Sequence, residues 1–121
     1  MKVTVPYEPG SAAFADMLIK NQRKISEVQE FLDMCPQLTK NQRISLKRRL
    51  LKLFEVKTAL LGAILKKEIV DTEEALKQYG SDSVEYHEAL EAREVAVAYY
   101  LGILEERNSL KEELSKAETG K

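Results

Sequence analysis

Gln78-Tyr79-Gly80-Ser81-Asp82-Ser83-Val84-Glu85 carries a helix stop and a helix start within a few residues. Gly80 suits the left-handed backbone position just past a helix C-terminus. Asp82 and Glu85 stand in capping-box spacing for a helix that begins near Ser83, one side chain accepting from a free backbone N–H and the other reaching back. On either side the chain consists of helix formers. No proline follows Pro36, and beyond it only Gly62, Gly80, Gly102 and Gly120 interrupt the run. This pattern predicts two long helices, about 40–79 and about 83–117, folded back on each other at Gly80.

Working upstream, Thr39-Lys40-Asn41-Gln42 opens the second helix with a capping box. Asp71-Thr72-Glu73-Glu74 repeats that spacing, so a kink or break near Val70 stands as an alternative to one continuous rod. Ala59-Leu60-Leu61-Gly62-Ala63-Ile64-Leu65 is apolar nearly all round, which a helix buried on one side does not need. The segment is therefore expected to lie between two neighbours. A first helix is expected over about 11–34, because Phe14, Leu18, Asn21, Ile25, Val28 and Leu32 follow the 4-3-4-3-4 spacing of a packed seam. Met17 and Phe31 widen that stripe, and Cys35-Pro36 ends it. Asn21 is its polar member, either fixing register from inside or reaching water at the bundle edge.

The third helix offers Ala89, Ala92, Val95 or Ala96, Tyr99, Ile103, Leu110 and Leu114 as its apolar face. Val3, Val5, Pro6 and Pro9 make residues 1–10 an extended arm, and residues 118–121 form a tail expected to fray. The fold class is thus all-α: a three-helix antiparallel, coiled-coil-like bundle with one helical domain over 11–117.

Folding at the two turns sets Tyr99 and Tyr100 opposite Ala63 and Gly62, and Phe14 near Leu61. Tyr99 is read as core. The first helix is then too short to cover the far end of the hairpin, which still carries Ile69, Val70, Leu76, Tyr79, Val84, Tyr86 and Leu90. A two-helix tip with that much apolar surface needs shelter. A second copy of the chain, forming a homodimer, is the simplest cover. Another protein or the proline arm would also serve.

Charge gives the competing reading. The 121 residues carry a net charge of −1, so no global pull toward nucleic acid or membrane exists. Locally, Lys40, Arg43, Lys47, Arg48, Arg49, Lys52 and Lys57 form a basic stripe opposed only by Glu55. Such a stripe fits phosphate backbones or acidic lipid headgroups. It also faces Glu105, Glu106, Glu112, Glu113 and Glu118 of the third helix in the same register, so internal pairing competes. No aromatic residue is interleaved to stack on bases. Nucleic acid is the second partner class and a membrane surface the third.

Catalytic patterns are missing. His87 and Glu91 stand at i, i+4, but His87 is the only histidine, and a helical zinc motif needs a second. Cys35, the single cysteine, has no base argued beside it and reads as a structural thiol. No glycine-rich phosphate loop or nucleophile elbow occurs. The expectation is a non-enzymatic adaptor, scaffold or chaperone-like module with neither cofactor nor metal, self-associating through the hairpin tip. The lone cysteine, the lack of an apolar leader in MKVTVPYEPG and the lack of a long apolar run point to the cytoplasm, with a nuclear or virion address as alternatives.

Overall fold

The computed structural model describes residues 4–119 as three helices: α1 (Ala12–Met34), α2 (Lys40–Tyr79) and α3 (Val84–Thr119). No strand occurs among the described residues. The protein is an all-α, three-helix bundle with a long helical hairpin, and each boundary falls within about two residues of the sequence reading.

Side-chain caps explain the starts. Ser11 Oγ accepts from the Phe14 N–H at 3.1 Å. Thr39 Oγ1 accepts from the Gln42 N–H at 3.1 Å while Gln42 Oε1 accepts from the Thr39 N–H at 2.9 Å, completing the expected capping box. At the hairpin turn Gly80 has φ +88°, and its N–H donates to the Leu76 carbonyl at 3.0 Å. Here the structure corrects one detail. The cap of α3 is Ser83, whose Oγ accepts from the Tyr86 N–H at 3.1 Å, and not Asp82 with Glu85. Ser83 Oγ also donates to the Gly80 carbonyl at 2.7 Å, which fixes the hydroxyl where the first turn needs it.

No break occurs near Val70; α2 runs unbroken from Lys40 to Tyr79. Asp71 is engaged within the helix, accepting from Lys67 Nζ at 2.9 Å, and that hydrogen bond is the main cause holding the Lys67 ammonium above its ordinary pKa. Thr72 turns its hydroxyl back to the Glu68 carbonyl at 2.7 Å, a bond compatible with a helix interior.

Helix α2 is the middle member. Both α1 and α3 pack on it, and they make no close backbone approach to each other. This is the two-neighbour arrangement expected for an α2 apolar all round at 59–65. The core joins Ile25 and Val28 of α1, Leu50 and Phe54 of α2, and Ile103, Leu110 and Leu114 of α3. Asn21 lies inside, 5% exposed, and its Nδ2 donates to the Leu53 carbonyl at 3.1 Å. The edge position with access to water is therefore wrong. Its Oδ1 is buried without a partner.

The α2–α3 register follows the sequence reading. A Cβ on Gly62 would stand 3.2 Å from Tyr100 Cε1, so the close approach of ring to backbone needs glycine there. Thr72 Oγ1 lies 3.3 Å from the Ala89 carbonyl. Tyr99, however, is 66% exposed and not core. The face of α3 that meets α2 is Ala89, Arg93, Ala96, Tyr100, Ile103, Arg107, Leu110 and Leu114, all buried or half-buried at strict 4-3 spacing. Two arginines on that row hide it from a search for apolar residues alone.

At the chain ends, the arm folds back through Gly10, φ +93°, with the Ser11 N–H donating to the Glu8 carbonyl at 3.1 Å. Pro6 and Tyr7 then border a trough of about 470 Å³ with Met17, Asn21, Leu53 and Val56. The described part of the arm thus lies beside the α1–α2 groove and does not cover the hairpin tip. Glu118, expected to fray, belongs to α3 and pairs with Arg48. Expectations for residues 1–3 and 120–121 lie outside the described residues.

Candidate functional site

Burial divides the hairpin into two halves. On the α1 side of the molecule, large apolar residues fill the interior. Past Leu60 on α2 and before Ile103 on α3, the buried residues are Thr72 and Ala96 alone among those described. Around this small side chain and hydroxyl, Leu61, Ile64, Leu65, Tyr86, Leu90 and Tyr100 are only half-buried, and the remaining large apolar groups are exposed.

Five of the seven tip residues singled out from sequence are exposed: Ile69, Val70, Leu76, Tyr79 and Val84, the last 68% so. Tyr86 and Leu90 are only half-exposed, since both lie near the row that packs on α2. The Tyr86 ring is tilted against His87 with centroids 6.0 Å apart. The seven therefore share one end of the molecule but do not form one uniform patch.

Sequence reasoning missed the middle of α3. Val95-Ala96-Val97-Ala98-Tyr99-Tyr100-Leu101-Gly102-Ile103-Leu104 contains no charge, and within it Val95, Val97, Tyr99 and Leu101 are exposed. This is the same all-round apolarity that marked residues 59–65 as needing two neighbours. Helix α3 comes into close backbone approach with α2 alone. The signal was present in the sequence and became informative once the neighbours of each helix were known.

The basic stripe is largely used up inside the molecule. Arg43 caps α1, donating from Nη1 to the Leu32 carbonyl at 3.2 Å and from Nη2 to the Cys35 carbonyl at 3.0 Å. Lys47 Nζ lies 3.2 Å from Glu113 Oε1, and Arg48 Nε donates to Glu118 Oε1 at 2.9 Å. Lys40, Arg49 and Lys52 remain exposed, and they do not make a continuous phosphate track. Lys57 donates to Gln22 Oε1 at 2.8 Å, clasping α1.

Chemistry finds little footing. Among the described residues no group of three histidine, cysteine, aspartate or glutamate side chains is placed to hold a metal ion. His87 is exposed, and Cys35 is a half-buried free thiol whose carbonyl serves Arg43. No helix among the described residues is long and apolar enough to cross a membrane. Comparison with known proteins adds no analogy: no family model, curated protein or solved structure matches this chain.

Proposed function

We propose that this chain is a non-catalytic protein–protein assembly module that self-associates through the part of the α2–α3 hairpin which α1 leaves uncovered. The observation that carries this reading is the inverted burial of the distal half. Thr72 and Ala96 are inside while Ile69, Val70, Leu76, Tyr79, Val84, Val95, Val97, Tyr99 and Leu101 are outside. Isolated two-helix units are marginal in water, and this many exposed large apolar residues in one half of the molecule favour an interaction surface there. The charged groups of the basal half support the same reading, because Arg43, Lys47 and Arg48 are occupied in closing the bundle and leave little for a polyanion.

Light scattering on the purified protein across a concentration series tests this. The expected result is a mass above that of one 13.8 kDa chain at micromolar concentration, falling toward it on dilution. A single chain mass at every concentration overturns the reading.

A further inference from the structure

Arg93, Val97, Leu101 and Glu105 are spaced four residues apart, so they form one ridge along the surface of α3. Its middle members are exposed, Leu101 at 56%, and Glu105 is exposed at its end. Neither Arg93 nor Glu105 has an ion-pair partner within the described chain. Its two ends differ in setting: Arg93 is half-buried beside the α2 contact, and Glu105 borders an open trough with Gln29 of α1 and Leu50 and Phe54 of α2. Beside it, Tyr99, Gly102 and Glu106 border Lys57 and Leu61 of α2 in a separate shallow cleft.

Read along the helix, the ridge is a cation, two branched apolar residues and an anion. That order is complementary to itself when reversed. A twofold axis between Val97 and Leu101 places Val97 of one copy beside Leu101 of the other, and Arg93 beside Glu105, each twice. Ridges of this four-residue spacing interdigitate when two helices cross at about 50°, the commonest packing class in globular proteins. An all-round apolar waist supplies the dry centre and the two charges supply direction.

We infer that the waist of α3 is the self-association surface, pairing antiparallel with a second copy through Arg93, Val97, Leu101 and Glu105. The inference rests on the assembly reading above and specifies the occupant and its orientation. The crossing leaves the two hairpin tips at opposite ends of the dimer. Residue 99 lies sixteen residues from Ser83, so each tip projects roughly 24 Å from the axis. Ile69, Val70, Leu76, Tyr79 and Val84 are then displayed twice, facing outward, for a further protein.

Charge reversal tests the orientation. Arg93→Glu alone and Glu105→Arg alone should each weaken the dimer, raising its Kd about tenfold, because an attractive pair becomes a repulsive one at two places. An equimolar mixture of the two variants should form a heterodimer near wild-type affinity, since both interchain pairs are then restored with reversed sign. The doubly reversed chain should recover as well. Within one chain the two positions are twelve residues apart, about 18 Å along the helix, so recovery cannot arise internally. Leu101→Glu should give a single chain mass, while Leu76→Glu leaves the mass unchanged.

Sedimentation with unmixed and mixed variants reads all of these. Circular dichroism establishes that each variant retains its helix content; a variant that unfolds is replaced by Arg93→Gln or Glu105→Gln, which remove the attraction without repulsion. If the wild type associates but responds to Leu76→Glu and not to Leu101→Glu, or the mixture shows no recovery, the waist assignment is overturned and the assembly reading stands. If the wild type never associates, both fall.

Discussion

Asn21 and Gly80 show how single residues set the terms of this fold. The Asn21 amide links α1 to the Leu53 carbonyl of α2 but leaves Oδ1 buried without a donor. An unsatisfied buried acceptor costs about 1–3 kcal/mol, more than one neutral hydrogen bond contributes. Asn21→Leu removes both and fills the seam, so it is expected to raise stability by about 1 kcal/mol in urea denaturation. Asn21→Ala, which leaves a void, is expected to lower it. The physical role left for Asn21 is register: with an apolar residue in its place, α1 has less reason to prefer one turn of α2 over the next. Gly80 holds φ +88° with ψ 168°, a region that costs other residues about 1–3 kcal/mol. Gly80→Ala is expected to destabilise by that amount, although nothing stands within 4 Å of the added methyl. A loss well under 1 kcal/mol would mean that the turn relaxes.

At the scale of the element, helix caps and helix faces differ in how plainly the sequence shows them. Capping needs particular side chains a fixed distance from the first turn, so Thr39 and the Gly80 turn are legible, and the boundaries of the long hairpin follow. The ambiguity at Asp82-Ser83 arises because two adjacent residues both qualify. The Tyr86 N–H donated to Ser83 Oγ decides between them, and the Ser83–Gly80 hydrogen bond holds that hydroxyl in place. Ser83→Ala is accordingly expected to cost about 1 kcal/mol and Asp82→Ala a few tenths, compared by thermal unfolding of the two variants. The reverse order would return the cap to Asp82.

The face of α3 is less legible for a different reason. Its middle is apolar all round, so hydrophobic periodicity has no contrast there. Outside the middle, the packed row carries Arg93 and Arg107. Tyr99 and Tyr100 differ by one residue, about 100° around the helix axis. The choice between them is made by Gly62, whose missing side chain admits the Tyr100 ring. The unbroken course of α2 past Asp71 was likewise hidden, because Lys67 can occupy that carboxylate only if the helix already continues.

For the whole molecule, the architecture follows from lengths. The helix lengths are 23, 40 and 36 residues, so α1 runs out well before the hairpin does. The basal half is closed by a three-helix core, by Arg43 over the end of α1 and by ion pairs from α2 to α3. The distal half has two helices, no large buried side chain and an apolar exterior. The tip was legible in sequence because unequal helix lengths reveal it. The waist was not, because its significance depends on α3 lying close to one helix backbone where α2 lies close to two.

The account depends on the distal hairpin being sheltered by association and not by its own core. Amide hydrogen exchange measured at sub-micromolar and at high protein concentration tests that directly. Amides of α3 around Val95–Leu104 are expected to exchange more slowly at high concentration, while those of α1 and the basal half of α2 stay the same. Equal exchange at both concentrations, with the waist already as protected as the base, would contradict it.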